Sequence, residues 1–242
     1  MRAIVRGPGG HASLPMSGGA IAKLANLIQS LEQHQLPVHV TPVAQQMIKT
    51  ISSALPLPSR LILRRLTNPR LTNLILKLLG DRVQLFAPLS HNTVNATIVQ
   101  GGDKVNVIPS EITLHLDGRL LPGYTAEDMI AELRQIIGND IELELVRYEP
   151  GPAEPDMGLF DTLAGILREA DPDGIPVPHL APGASDARFF SRLGIQTYGF
   201  TPMNLPENFT FFKTIHNVDE RIPVESVEFG ANALYQLLQR YR

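Results

Sequence analysis

Residues 92–119 read NTVNATIVQGGDKVNVIPSEITLHLDGR, and the alternation inside them decides the fold. Val94, Ala96 and Ile98 recur with period two, Gly101-Gly102 supplies a turn, and Ile112, Leu114 and Leu116 recur with the same period. That period sends successive side chains to opposite faces of a strand, so the stretch predicts two paired strands with one apolar face. Downstream, Thr125 can cap a helix that buries Met129, Ile130, Leu133, Ile136 and Ile137, and Ile141, Leu143 and Leu145 predict a further strand. Upstream, residues 2–6 predict a strand running into Gly7-Pro8-Gly9-Gly10-His11, after which Ile21, Leu24, Ala25, Ile28 and Leu31 fall at helical spacing before Pro37. Residues 42–88 are of another kind, with helix-like pieces at 43–54, 59–66 and 71–80 punctuated by Pro56, Pro58 and Pro69. They predict a helical insertion. Without it the order is βαββαβ, which suits an α+β fold: a four-stranded antiparallel sheet with two helices on one face, a ferredoxin-like sandwich.

The run Pro150-Gly151-Pro152-Ala153-Glu154-Pro155 has the composition of a linker, so a first domain of residues 1–150 and a second segment of residues 151–242 are expected. In the second, Leu159–Glu169 and Ala187–Leu193 read as helices and Thr197–Phe200 as a short strand. A last helix over Val224–Tyr241 follows Pro223, with Val227, Ala231, Leu234 and Leu238 as its buried stripe. With so few strand signals, this segment is too thin for a complete α/β domain.

Composition narrows the function. A net charge of -3 gives no general basic field, which argues against a nucleic-acid partner. The absence of cysteine removes disulfides, thiol nucleophiles and cysteine-based zinc sites, leaving His, Asp and Glu as the strong metal ligands. No apolar run approaches a membrane span and Met1–Arg6 is no signal peptide, so a soluble, cytoplasmic protein is expected.

Five places invite a chemical reading. His11 sits on the glycine turn, where a side chain is exposed and backbone can approach a ligand; a plain surface histidine is the alternative. On the strand 112–119, Thr113, His115, Asp117 and Arg119 share the face opposite the apolar residues, so Asp117 and Arg119 can form a surface ion pair, or Arg119 can offer its fork to a substrate carboxylate. Asn106 precedes a strand and reads equally as a turn residue. In Pro182-Gly183-Ala184-Ser185-Asp186-Ala187-Arg188, free N–H groups at a helix start suit a carboxylate or oxyanion, while Ser185 or Asp186 as an N-cap explains the same residues. His216 lies in a polar loop ahead of the last helix, where a neutral imidazole can bind a metal or do nothing at all. No strand leads into a serine-hydrolase elbow.

In chain order, Gly9-Gly10-His11-Ala12-Ser13, Asn106-Val107-Ile108-Pro109, Asp117-Gly118-Arg119, Gly183–Arg188 and His216-Asn217 through Glu220-Arg221-Ile222-Pro223 resemble the signature blocks of the zinc peptidases and amidohydrolases. That family includes aminoacylase, succinyl-diaminopimelate desuccinylase and the glutamate carboxypeptidases. The insertion, followed by Asn92-Thr93, looks most like the carboxypeptidase S branch, whose relatives act on peptides or N-acyl amino acids. The resemblance implies that residues 1–150 are a lid and dimerisation domain and residues 151–242 the closing segment of an α/β catalytic domain. It implies a homodimer through the lid and two zinc ions in the complete enzyme, which polarise the amide carbonyl and activate a water for a glutamate base. By the same resemblance His11 stabilises the oxyanion in the partner subunit's site. Asn106 and Arg119 hold the substrate, Gly183, Ala184 and Ser185 line its pocket, and His216 is a metal ligand.

The sequence has neither the His-x-Asp motif nor the Glu-Glu pair that supply the family's other ligands and base. The chain is therefore expected to be inactive alone, whether as a piece of a longer or truncated frame or as half of a split enzyme whose partner is a separate N-terminal catalytic segment. A non-catalytic dimerisation or interaction module is the alternative. A third reading takes Arg60, Arg64, Arg65, Arg70, Lys77 and Arg82, interleaved with Leu61, Ile62, Leu63, Leu66 and Leu74, as a basic amphipathic membrane-surface element. It stands behind the others, because in the related branch such helices cover the substrate cleft, and a membrane partner is not expected.

Overall fold

The computed structural model describes residues 1–80, 86, 88–151, 157–181, 183 and 185–241. They form two compact units, residues 1–155 with 180–195 and residues 156–179 with 196–242. The first contains strands β1 (Arg2–Arg6), β2 (Gly10–His11), β3 (Thr93–Gln100), β4 (Val107–Ile108), β5 (Glu111–Arg119) and β6 (Glu142–Glu144). Four of these make a sheet of order β3-β5-β1-β6 in which every neighbouring pair is antiparallel. Helix α1 (Ala20–Gln33) follows β1 and β2, and α5 (Ala126–Ile137) joins β5 to β6; between α1 and β3 lie α2 (Pro42–Ser53), α3 (Ser59–Arg64) and α4 (Pro69–Leu79). This is the ferredoxin-like order.

The core lies between the sheet and its two helices. Ala3, Val5, Ile112, Leu114 and Leu116 from the sheet meet Ala20, Leu24 and Leu27 of α1, and Met129 and Leu133 of α5 pack beside them with Leu36. The face of α1 differs from expectation: Leu27 is buried, whereas Ile21, Ala25 and Ile28 are exposed. The sheet touches the stripe 20-24-27-31, and the neighbouring apolar positions turn outward. In β3 a bulge at Thr97 shifts the register, so that Ala96 faces Leu116 but Ile98 faces His115 and Val99 faces Leu114. Ile98 thus leaves the face of Val94 and Ala96, because an extra residue inverts the alternation after it.

Each cap explains where its helix starts. Thr41 and Asn68 accept from the backbone N–H groups of Ala44 and Arg70, and Pro42 and Pro69 occupy first-turn positions where no N–H is missed. Thr125 and Asp128 form a reciprocal box, Oγ1 accepting from Asp128 N–H at 3.3 Å and Oδ2 accepting from Thr125 N–H at 2.8 Å. The Thr125 backbone N–H, then its hydroxyl, hold the Asp128 carboxyl below its ordinary range. A depressed carboxyl stabilises the fold above its unfolded pKa of about 4, and the benefit is lost as pH falls through the lower folded value. Thr125→Ala is therefore expected to cost about 1 kcal/mol near neutrality, with the gap to the unsubstituted protein narrowing on acidification, as thermal unfolding across pH would record.

The insertion has its own small core of Ile48, Leu63 and Leu66, with Ile51, Leu55, Ile75, Leu76 and Phe86 against it. Its two stems are tied together by a Val38–His91 bridge and by the His39 N–H donating to the Ser90 carbonyl at 2.7 Å. Both stems then reach Glu132 of α5: His39 Nε2 lies 2.5 Å from Oε1, and the Asn92 amide donates to both carboxylate oxygens at 3.3 and 3.1 Å. Asn92 Oδ1 in turn accepts from Leu121 N–H, and the Tyr124 ring lies 4.1 Å from that of His39.

In the second unit, α6 (Phe160–Ala170) packs on α9 (Val224–Arg240), and Arg240 donates to both Glu169 oxygens at 2.8 and 2.6 Å. Short helices α7 (Ala187–Arg192), in the first unit, and α8 (Phe211–Thr214) lie between them in sequence. The expected strand at Thr197–Phe200 is irregular chain instead, with no strand partner among the described residues. The buried stripe of α9 also differs from expectation. Ser226 and Ala233 are buried, and Val227, Leu234 and Leu238 are exposed. Small residues decide this: Ser226 Oγ donates to the Asn204 carbonyl at 2.6 Å, and a Cβ on Gly230 would stand 2.9 Å from the Pro202 oxygen. The chain at 202–204 therefore lies where bulkier residues would hold it off. No helix among the described residues is long and apolar enough to cross a membrane.

Candidate functional site

His11 belongs to a strand rather than to the expected loop. Gly10 pairs with Ile108 and His11 with Val107, and the ladder continues through Ala12 N–H to the Asn106 carbonyl at 3.0 Å and Gly7 N–H to the Ser110 carbonyl at 2.9 Å. The glycines serve this clip: a Cβ on Gly9 would stand 2.9 Å from the Ile108 oxygen, and one on Gly7 2.5 Å from the Ala20 nitrogen. Their open backbone is spent on close approach to β4 and to the start of α1.

The exposed His11 ring is oriented by Ser13, whose backbone N–H lies 3.3 Å and whose Oγ lies 2.7 Å from Nδ1. A backbone N–H can only donate, so Nδ1 is the acceptor and the proton of the neutral ring sits on Nε2. His11 thereby presents an N–H donor outward. Ser13, read in the sequence only as part of a block, is the ring's hydrogen-bonding neighbour, which its i+2 spacing already offered.

Arg119 ends β5, opposite Thr93. Its Nη2 and Nε donate to Asp117 Oδ2 at 2.7 and 3.2 Å, with side chains 42% and 45% exposed, so this pair adds little stability. From Glu111, next to Ser110 of the clip, β5 carries the chain to Arg119 over roughly 25 Å at 3.3 Å per residue. The fold thus brings His11 and Asn106 together and sets Arg119 at the other end of the sheet.

Gly183 and Ser185 are exposed, and Ala184 lies outside the described residues. No side chain caps α7; Asp186 has helical backbone angles, and Ser185 instead offers its carbonyl to Arg188 N–H and Nη1 at 3.3 and 3.1 Å. Arg188 lies over the Phe189 ring at 4.4 Å and pairs with Glu149, which also accepts from Arg147. Arg147 chiefly, then Arg188 and Arg192, hold the Glu149 carboxyl below its ordinary range. The 183–188 block is therefore fastened to the end of the first domain through Glu149, a residue the sequence left unremarked.

His216, in the second unit, is exposed and has φ +56°, the one non-glycine residue with positive φ among the described residues. A left-handed histidine costs of order 1–2 kcal/mol, and such strain gathers at functional positions. His216→Gly is accordingly expected to leave chemical denaturation unchanged or raise stability by up to about 1 kcal/mol; a loss above that would show the imidazole to be structural. Among the described residues no three His, Asp or Glu side chains gather into a metal site. Zinc sites use at least three protein ligands, so this donor set does not by itself fit a two-zinc centre.

With fold and donors in place, the chain's kinship is clear. Residues 1–142 match the peptidase dimerisation domain of the M20 family, and the chain belongs to that family of metallopeptidases and amidohydrolases. It is 29% identical over 242 residues to the N-fatty-acyl-amino acid synthase/hydrolase PM20D1 of Homo sapiens, covering 95% of this chain and 46% of that protein. A probable carboxypeptidase S-like 2 of Dictyostelium discoideum is 26% identical over 235 residues, covering 96% and 44%. A succinyl-diaminopimelate desuccinylase of Magnetococcus marinus is 34% identical over 170 residues, covering 66% and 40%. The chain thus spans about half the length of the curated relatives it matches. A tripeptidase structure from Staphylococcus aureus shares the fold, with TM-score 0.52 and 16% identity over 98% of this chain and 50% of that one.

Proposed function

We propose that this chain is the lid and C-terminal part of a dimeric, zinc-dependent hydrolase that cleaves the amide bond of a peptide or N-acyl amino acid carrying a free carboxylate. Residues 1–150 are the lid and residues 151–242 the closing segment of the catalytic domain. The observation that carries the reading is that β5 runs roughly 25 Å from Glu111, beside the clip that joins His11 and Asn106, to Arg119. A single small substrate does not span the length of that strand. Two protomers remove the difficulty: Arg119 holds the carboxylate in one subunit's cleft while His11 of the partner subunit donates from Nε2 to the oxyanion that forms at the scissile carbonyl.

A sticky edge supports the dimer. Among the described residues strand β3 pairs on one side only; it has no charged residue and leaves Ile98 and Val99 51% and 55% exposed, while α1 leaves Ile21 58% exposed. Long uncharged edges invite pairing with another chain. Gly183, Ala184 and Ser185 line the substrate pocket, and His216 gives one metal ligand. The remaining ligands and the general base come from a catalytic segment outside this chain, which the exposed α9 face of Val227, Leu234 and Leu238 would receive. One observation favours a second reading, a dimerisation module without catalysis: among the described residues His216 belongs to no group of three or more metal-binding side chains.

Sedimentation equilibrium tests the dimer. The unsubstituted chain is expected to be dimeric at micromolar concentration, and Val99→Arg to weaken the association at least about tenfold by placing a charge on the pairing edge. A monomer, or a dimer indifferent to Val99→Arg, would overturn the two-subunit reading.

A further inference from the structure

Residues 42–80 carry Lys49, Arg60, Arg64, Arg65, Arg70 and Lys77 without a single aspartate or glutamate, in a chain whose net charge is -3. Among the described residues none of these six is in an ion pair. Arg60 is engaged by the carbonyls of Leu55 and Ser53, and Arg64 reaches Ser52 Oγ; Arg65, Arg70 and Lys77 are exposed. Arg82, which the sequence grouped with them, lies outside the described residues.

Beside these cations is apolar surface that the insertion's own core leaves over. Leu61, Leu74 and Leu78 are 58%, 59% and 77% exposed, and Ile62, Arg65, Leu71, Leu74, Ile75 and Leu78 line an open groove of about 300 Å³. At about 100° per residue, Leu71, Leu74 and Leu78 share one face of α4, and Arg70 and Lys77 follow at its margin beyond Leu74. An apolar face edged by cations is the form of a helix that lies in a membrane interface. The same stretch has no Phe, Tyr or Trp, so it offers no stacking platform for nucleic-acid bases.

We propose that α3 and α4 dock on an anionic phospholipid surface. Leu61, Leu74 and Leu78 enter the boundary between headgroups and acyl chains, and Arg65, Arg70 and Lys77 meet the lipid phosphates and carboxylates. The charge complementarity selects this occupant: a second copy would bring the same cations against one another. The assignment goes beyond the hydrolase reading and does not depend on it, and it revives the membrane-surface element that the sequence alone ranked last.

Co-sedimentation of the full chain with vesicles tests it. Partitioning onto phosphatidylcholine vesicles containing about 30% phosphatidylserine should exceed that onto pure phosphatidylcholine by at least about tenfold and fall steeply with salt. The double variant Arg70→Glu/Lys77→Glu should lose the anionic preference, and Leu74→Ser/Leu78→Ser should lose binding to both vesicles. All four positions are exposed, so unchanged circular dichroism is expected. Equal binding to both vesicles, variants that bind as the unsubstituted chain does, or preferential capture of a single-stranded oligonucleotide would each overturn the proposal. So would a lipid-free change in oligomeric state on Leu74→Ser/Leu78→Ser, which would make the face a contact between copies.

Discussion

Glu132→Ala should destabilise the first unit by about 3–5 kcal/mol in urea denaturation, the range for removing one member of a buried charged cluster. Glu132 is 7% exposed and accepts from His39 of one insertion stem and Asn92 of the other. Its loss leaves the Asn92 amide, in a residue 1% exposed, without its acceptor, and removes the polar link of both stems to α5 at once. The insertion should then open to proteolysis before the sandwich does, since its own core does not hold the stems. Glu132→Gln keeps an acceptor oxygen and should cost less, about 1–3 kcal/mol. A cost below about 1 kcal/mol for the alanine variant would show that the cluster is dispensable.

Gly7→Ala should cost about 3 kcal/mol and release the His11 clip. The added methyl would meet the nitrogen of Ala20, the carbonyl carbon of Gly19 and the oxygen of Gly18 at 2.5, 2.7 and 2.8 Å, all backbone atoms at the start of α1. Backbone cannot rotate away as a side-chain tip can, so β1 and α1 must part, which places the cost at the upper end of overpacking. Gly165→Ala in α6 is the contrast: nothing lies within 4 Å of its Cβ, and the change should stabilise by about 0.5–1 kcal/mol through helix propensity. Equal effects from the two substitutions would mean that close backbone approach does not constrain Gly7.

The sheet was legible because alternation is a local signal: Ile112, Leu114 and Leu116 announce β5 wherever its neighbours lie. What needed the folded chain was whichever face or register a neighbour decides. The bulge at Thr97 turned Ile98 away from its expected face, and Ser226 and Gly230 drew the buried stripe of α9 one residue from its apolar one. Glu132 sits beside Leu133 on a helix and reads as surface until both insertion stems arrive. At the site, the blocks named their residues only through resemblance. The nearness of His11 to Asn106 required the β2–β4 ladder, whereas the remoteness of Arg119 was already implied by one unbroken strand from Glu111.

Zinc content and hydrolysis of an N-acyl amino acid, measured together on the purified chain, test the central claim most directly: that it carries the dimer contacts, the substrate-holding groups and one metal ligand, and not the metal centre. Less than one tightly held zinc per chain and no turnover are predicted. Two tightly held zinc ions with turnover, lost on chelation, would contradict it.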